Sequence, residues 1–186
     1  MAKGEMKATR NHDRALEAAV EIVGTQGIHS LTHGQVDISS GLPKGSTSNY
    51  FRTRAALIHA TVGYLVRAEQ NAFNAGTKLQ TTEDLVKALT EFVHDASGRQ
   101  RTVAAARLAF FIEAFHDPQV RETLSQARHD IDTWAARTLE TLGFPAPFAA
   151  ARRILAQLEG MVLHNLTFGD HSVPREDIAA VIRSCL

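Results

Sequence analysis

The sequence predicts an all-α protein, with three short helices at the N-terminus followed by six longer ones. Apolar residues recur at the i, i+3, i+4 spacing of a helix in one segment after another. We find no convincing run of the apolar–polar alternation that a strand requires. In residues 31–57, glycine and proline punctuate the pattern so that two short helices are joined by a tight turn.

The first helices are placed by their apolar stripes and caps. A helix is expected at about 11–25, where four apolar residues from Leu16 to Val23 lie on one face. Thr32 is a suitable N-cap for a second helix, which ends at Gly41 because glycine accepts the positive φ of a tight turn. Pro43 is expected to begin the third helix.

The remaining helices are delimited by capping residues, glycines and prolines. From the third onward, the predicted helices cover about 43–50, 54–74, 81–97, 102–116, 117–142, 147–168 and 174–185. The helix at 102–116 is apolar on almost all sides, so we expect it to be buried.

Composition indicates an ordinary globular chain of 186 residues, 44% hydrophobic and 22% charged. The start of the sequence does not resemble a secretory signal, and the longest apolar stretch is too short to span a bilayer. The single cysteine, Cys185, is compatible with a reducing compartment. We therefore expect a cytoplasmic protein that does not enter the membrane.

Charge is distributed unevenly although its sum is zero. Residues 1–56 carry seven basic and five acidic side chains, whereas the remainder carries thirteen and fifteen. The excess of basic residues lies in the same segment as Lys44, Ser46, Thr47, Ser48 and Asn49. A short helix with these side chains is a poor core element and suits the major groove of DNA.

The residues of this segment resemble the TetR family of transcriptional regulators. The matching features are Ala18-Ala19, Gly27, Leu31-Thr32, Gly41, Lys44-Gly45, Tyr50-Phe51 and Arg54. The resemblance implies a helix-turn-helix DNA-binding domain at 8–56, with the turn and recognition helix at about 32–51. It also implies that residues 57–186 form a six-helix ligand-binding and dimerisation domain.

The resemblance implies DNA contacts at Thr32, Lys44, Gly45, Ser46, Thr47, Ser48, Asn49, Tyr50 and Arg54. We expect Thr47, Ser48 and Asn49 to face base edges, where an asparagine can pair with adenine. Lys44, Tyr50 and Arg54 are better suited to phosphates. Phe51 is expected in the core.

Three positions depart from the family pattern. Asp37 replaces a small apolar residue, while Thr47 and Ser48 replace a leucine and a tyrosine. A carboxylate close to phosphate would weaken DNA binding, so we expect Asp37 to pair with a basic neighbour. The candidate partners are Lys44, Arg52 and Arg54.

Candidate ligand-binding residues lie on helices that surround a central cavity in the family. They are Arg107, Phe110, Phe111, Trp134, Met161, His164, Asn165 and Phe168. Mostly apolar and aromatic, they favour an apolar or aromatic effector. We expect no cofactor and no metal, because the histidines lack ligand spacing and cysteine partners.

The sequence is therefore interpreted as a homodimeric DNA-binding repressor, paired through about 147–186 and released from a double-stranded operator by a small-molecule effector. No phosphate loop, nucleophile elbow or paired-carboxylate pattern indicates an enzyme. Two alternatives stay open. One is an activator or constitutive regulator of the same fold, and the other is a helical interaction or ligand-carrier module that no longer binds DNA.

Overall fold

The computed structural model describes residues 2–74, 79–169 and 173–186. These contain no strand, as predicted, and none of their helices is long and apolar enough to cross a membrane. The helices are α1 (Ala2–Gln26), α2 (His33–Ser40), α3 (Ser46–Tyr50), α4 (Arg54–Asn74), α5 (Thr82–Ser97), α6 (Arg101–Glu113), α7 (Pro118–Thr141), α8 (Pro147–Thr167) and α9 (Arg175–Cys185). A 3₁₀ turn, Ile28–Ser30, separates α1 from α2.

Helix α1 confirms the predicted apolar stripe, and Leu16 and Val23 are buried. It begins at Ala2 rather than near Asn11. The difference arises because the prediction followed the apolar stripe alone, whereas the backbone of the preceding residues continues the helix. Helix formers such as alanine, lysine and glutamate make this continuation favourable.

The prediction of a helix buried throughout 102–116 is wrong at its C-terminal end. Helix α6 ends at Glu113, and the side chains of Ile112 and Phe115 are 63% and 75% exposed. Phe110 is completely buried. Apolar composition predicts burial on average, but it does not state which side of a helix another element covers.

The chain forms two compact units, one of residues 1–71 with 105–124 and the other of 72–104 with 125–186. This division differs from the predicted boundary after residue 56. The difference has a local cause, because α4 is attached to other parts of the first unit. The Tyr64 hydroxyl donates to Glu17 at 3.1 Å, and His59 Nε2 lies 2.9 Å from Asp117 Oδ2.

The second unit is built around an apolar cluster from α5, α8 and α9. Its most buried members include Val86, Val93, Val162, Ile178 and Ile182, and Leu139 of α7 belongs to the same cluster. The stripes predicted for the last two helices therefore form a core within this unit. Arg183 of α9 also pairs with Glu83 at the start of α5, at 2.8 Å.

Asn165 of α8 forms a polar contact within this apolar unit. Its side-chain amide donates to Ser97 Oγ at 3.0 Å, and its oxygen accepts from the Val173 backbone at 3.1 Å. Asn165 is only 5% exposed, so these partners replace the water that burial removes. The residue connects the end of α5 with the segment that precedes α9.

Asn165→Ala is expected to lower the free energy of unfolding by about 1–3 kcal/mol, because buried donors and acceptors lose their partner. Urea denaturation followed by circular dichroism measures the change. Thr167→Ala, an exposed position on the same helix, is the control and is expected to change little. Equal stability of Asn165→Ala and wild type would contradict the role of the amide.

Candidate nucleic-acid interface

Glycines at both ends of the turn determine where α2 stops and α3 starts. Gly41 closes α2 with φ 64°, and Gly45 precedes α3 with φ 87°. Both values lie in the left-handed region that side chains with a Cβ rarely adopt. The predicted start of the third helix at Pro43 is wrong, because the chain makes a further turn at residues 44–45 before α3 begins.

Helix α3 has no capping side chain of its own, and Asp37 of α2 supplies one. Asp37 Oδ1 accepts from the Thr47 backbone at 2.8 Å and from the Thr47 hydroxyl at 2.6 Å. Asp37 Oδ2 accepts from the Gly45 backbone at 2.7 Å. A carboxylate at this end of a helix satisfies N–H groups that lack an intrahelical partner and is favoured by the helix dipole.

The environment of Asp37 keeps the carboxylate ionised. The residue is 4% exposed, and this burial by itself would raise its pKa. The hydrogen bonds from Thr47 and Gly45 outweigh burial, with a smaller contribution from His33, so the pKa lies below its ordinary value. The charge is therefore compensated inside the protein.

The expected ion pair of Asp37 with Lys44, Arg52 or Arg54 is wrong. The bonds to its carboxylate come from Gly45 and Thr47, which lie eight and ten residues further along the chain. A carboxylate does not require an opposite charge as its partner, because backbone amides at a helix start also stabilise an anion. A signal did exist, since Asp37 and Thr47 both depart from the family pattern.

Two residues predicted to contact DNA, Gly45 and Thr47, make hydrogen bonds within the protein instead. The Thr47 side chain is 0% exposed and its hydroxyl is donated to Asp37, so it does not face a base edge. The Gly45 N–H likewise donates its hydrogen bond to Asp37, so it is not available to a phosphate. Both residues instead shape the turn and the start of α3.

The outward face of this region retains several of the predicted residues. Lys44, Ser48 and Asn49 are exposed, and Ser46 and Tyr50 are half-buried. The Ser48 hydroxyl donates to the Gly45 carbonyl at 2.9 Å. The surface therefore presents a lysine and small neutral polar groups, which matches what a major-groove probe requires.

Arg54 and Thr32 also act within the protein. Arg54 donates to the carbonyls of Leu31 at 3.2 Å and Ile28 at 2.6 Å. Thr32 caps α2, because its hydroxyl oxygen accepts from the Gln35 backbone at 3.2 Å. The predicted cap is confirmed, whereas the phosphate contacts assigned to Arg54 and Thr32 stay predictions.

The predicted ligand-binding residues are divided between the two compact units. Arg107, Phe110 and Phe111 belong to the first unit, where Arg107 Nη1 lies 3.2 Å from Glu69 Oε1. The other five belong to the second unit: Trp134, Met161, His164, Asn165 and Phe168.

Their burial separates them into different environments. Phe110 is fully buried and Asn165 is bonded to its neighbours, as described above. His164 and Phe168 are exposed, with ring centroids 5.5 Å apart. Only Phe111, Trp134 and Met161 are half-buried apolar residues of the kind that line an accessible pocket.

One group of side chains has the composition of a metal site. Glu91, His94 and Asp95 each offer a ligand atom, and these atoms lie within 4.8 Å of one another. However, Glu91 is paired with Arg175, and Asp95 accepts from Arg99 at 2.6 and 3.1 Å. Because both carboxylates are engaged by arginines, we assign no metal to the group.

Comparison with known proteins identifies the family. A model of the tetracyclin repressor-like C-terminal domain matches residues 80–186, which is more than half of the chain. The chain belongs to the TetR family. It is a transcriptional regulator and not an enzyme.

The relatives match over almost the full chain. The HTH-type transcriptional regulator BetI of Yersinia pestis (strain Pestoides F) is 25% identical over 175 residues, covering 92% of this chain and 88% of BetI. A transcriptional regulator of Saccharomonospora viridis in complex with choline has a TM-score of 0.78 at 18% identity, with 95% of each chain covered. The multidrug binding protein EbrR in complex with ethidium has a TM-score of 0.75 at 22% identity, covering 95% of this chain and 98% of EbrR.

The pH dependence of stability tests the Asp37 cap of this TetR-family regulator. The folded-state pKa of Asp37 lies below its ordinary value of 3.8. Its stabilisation is therefore fully present above pH 3.8 and is lost as the pH falls through the folded-state pKa. At pH 7, Asp37→Asn is expected to be less stable than wild type by about 1–3 kcal/mol.

Denaturant titrations at several pH values measure the difference between wild type and Asp37→Asn, which should narrow in acid. Asp130→Asn, at an exposed position on α7, is the matched control and is expected to show a smaller difference at pH 7. A stability difference between wild type and Asp37→Asn that grows as the pH falls below 3.8 would contradict a lowered pKa of Asp37 in the folded protein.

Proposed function

We propose that this protein is a homodimeric, ligand-responsive repressor. The recognition helix α3 of each subunit reads one half of a pseudo-palindromic operator, and a small-molecule effector releases the protein from DNA. The observation that carries the proposal is the exposed polar face around α3, positioned by the buried Asp37 carboxylate. A helix-turn-helix dimer places its two recognition helices about 34–36 Å apart, or a multiple of this distance.

The exposed residues have different proposed roles. Asn49 is assigned to an adenine edge, because its amide can donate and accept at the same time. Ser46 and Ser48 allow close approach to the groove. Lys44 and Tyr50 are assigned to phosphates, which fix the register and make binding depend on salt. The buried charge of Asp37 removes the objection that a carboxylate would repel DNA here.

Lys44→Ala and Asn49→Ala distinguish phosphate contacts from base contacts. An operator is first selected from random DNA, and dissociation constants are then measured at several salt concentrations. Lys44→Ala is expected to weaken specific and non-specific binding alike, and to reduce the salt slope by about 0.9 for each phosphate that is no longer neutralised. Asn49→Ala is expected to reduce discrimination at one base pair of each half-site by about 1–3 kcal/mol.

Lys87→Ala removes the same charge from an exposed position on α5 and serves as the control, with unchanged DNA binding expected. Arg54 is less informative as a target, because its replacement also removes two hydrogen bonds to the Ile28–Leu31 segment. Failure of the wild type to select any DNA sequence would overturn the proposed function.

Dimerisation is proposed to use the outer surface of α8 together with α9, within about 147–186. Helix α8 exposes Phe148 and Leu163, which are 57% and 47% exposed. Gly160 lies on the exposed side of the same helix, and apart from its two chain neighbours and the helix's own nearby backbone, no heavy atom of the described residues lies within 4 Å of where its Cβ would be. A small residue at this point leaves room for the close approach of a second helix.

Gly160→Leu is expected to shift the protein from dimer towards monomer, because the side chain occupies the interface while the helix tolerates it. Sedimentation velocity over a range of concentrations measures the association. Ala88→Leu places the same side chain on the exposed face of α5 as a control. A dimer of unchanged affinity in Gly160→Leu would exclude this surface as the interface.

The effector is proposed to be an organic cation with apolar or aromatic surface. The sequence favours an apolar or aromatic ligand, and ethidium and choline, bound by the two proteins of known structure compared above, are both organic cations. The second compact unit has a half-buried aromatic residue at Trp134 and a half-buried carboxylate at Glu159. Aromatic faces and carboxylates are the groups that bind such cations.

The proposed signal reaches the DNA-binding region through α4. The start of this helix contacts the Ile28–Leu31 segment through Arg54. Further along, His59 contacts Asp117, which also caps α7 by accepting from the Gln119 and Val120 backbones at 2.8 and 3.1 Å. Movement of the α6–α7 junction would therefore displace α4 and, with it, the recognition helix.

A cation that binds the protein is expected to weaken operator binding by about 5–150-fold, a coupling of about 1–3 kcal/mol. Choline chloride is compared with sodium chloride at equal ionic strength, and malachite green is used as a larger aromatic cation. Fluorescence of Trp134, the one tryptophan, reports binding to the protein itself. A cation that binds but leaves operator affinity unchanged would contradict release by an effector.

A further inference from the structure

We infer that Asp37 is a positioning residue for DNA recognition, and that Asp37 and Thr47 together set operator specificity without touching DNA. The inference deepens the proposed function and rests on it. It concerns two positions at which this chain departs from the family pattern, and which the structure brings into direct contact.

The short length of α3 makes its position depend on contacts from outside. The helix has five residues, and isolated helices of this length do not form in water. Gly45, at the N-cap position, has no side chain that could cap it. The carboxylate of Asp37 therefore replaces a local cap and attaches the first turn of α3 to α2 through three hydrogen bonds.

Burial separates the two residues from the surface that would meet DNA. Asp37 is 4% exposed and Thr47 is 0% exposed, whereas Ser48 and Asn49 follow directly in the sequence and are exposed. A displacement of the first turn of α3 necessarily moves these neighbours. An error of about 1 Å at a base edge is enough to break a hydrogen bond, so the buried pair controls recognition through the backbone.

The two departures compensate each other chemically. The family pattern places a small apolar residue and a leucine at these positions, and such a pair makes an apolar contact. Here a carboxylate and a hydroxyl make a hydrogen-bonded contact instead. Replacing Asp37 alone leaves buried donors without an acceptor, and replacing Thr47 with leucine alone places an apolar side chain against a buried charge. The paired exchange removes the Thr47 hydroxyl together with its acceptor and leaves no charge against an apolar side chain, although the backbone N–H groups of residues 45 and 47 still lose their acceptor.

Four variants test the inference: Asp37→Ala, Thr47→Val, Thr47→Leu and the double variant Asp37→Ala/Thr47→Leu. Circular dichroism establishes a temperature at which each protein is folded, and DNA binding is compared there. The main readout is the ratio of dissociation constants for non-specific DNA and for the operator. Hydrogen exchange of the Gly45 and Thr47 amides, relative to amides of α1, reports whether the start of α3 is held in place.

In Asp37→Ala, the specificity ratio is expected to fall about 10-fold or more, while non-specific affinity changes less than about threefold. Both amides are expected to exchange faster. Thr47→Val removes one of the three hydrogen bonds, so its specificity ratio is expected to lie between those of Asp37→Ala and wild type. The double variant still lacks the two backbone hydrogen bonds to Asp37, but it no longer places leucine against a buried charge. Its melting temperature and specificity ratio are therefore expected to exceed the values obtained by adding the effects of Asp37→Ala and Thr47→Leu, because the two changes are not additive.

Three outcomes would overturn the inference. A folded Asp37→Ala protein with an unchanged specificity ratio would show that Asp37 does not position α3 for recognition. Effects of Asp37→Ala and Thr47→Leu that simply add in the double variant would show that the two residues do not act as a pair. Unchanged exchange of the Gly45 and Thr47 amides in Asp37→Ala would show that Asp37 does not hold α3 in place, whether or not the wild type selects an operator. Failure of the wild type to select an operator overturns the proposed function instead.

Discussion

The buried carboxylate of Asp37 is the constraint on which the DNA-binding region depends. A charge removed from water is costly unless other groups take over its hydrogen bonds, and here three donors from the start of α3 do so. The need to satisfy the carboxylate fixes the distance and direction of α3 from α2. Because the helix has five residues, little else within it could determine this geometry.

Other polar side chains around the helix-turn-helix also form hydrogen bonds with backbone groups at helix ends. Arg14 donates to the Ser40 carbonyl at the end of α2, and His33 Nε2 lies 2.6 Å from the Phe51 carbonyl, which can only accept. Arg54 donates to carbonyls of the turn before α2. Polar side chains thus satisfy backbone groups that the ends of short helices leave without partners. This allows a region with a small core to hold a defined surface towards DNA.

Helices α4 and α8 each combine two tasks. Helix α4 begins at the arginine that supports the DNA-binding region and continues to His59, which contacts the start of α7. Helix α8 contributes Leu158 and Val162 to the core of the second unit, while Phe148 and Leu163 remain exposed. Such division of a helix into two faces allows one helix to contribute both to a core and to an outer surface.

Features that arise within a few residues were predictable from the amino-acid sequence. The helical succession, the Thr32 cap and the left-handed Gly41 were predictable, because apolar periodicity, capping and positive φ are local properties. The family was recognisable for the same reason, since its pattern consists of these local signals. On this basis the sequence also placed Lys44, Ser48 and Asn49 in the candidate DNA-binding surface.

Which side chains of that surface face outwards depends on how the helices pack against one another. Thr47 directly precedes the exposed Ser48 and Asn49 on the recognition helix, yet it is buried against Asp37. Phe115 is exposed although its segment is strongly apolar. These outcomes depend on contacts between elements, such as a hydrogen bond across ten residues of sequence. Local patterns do not encode such contacts, because burial and polar pairing are settled when separate elements pack together.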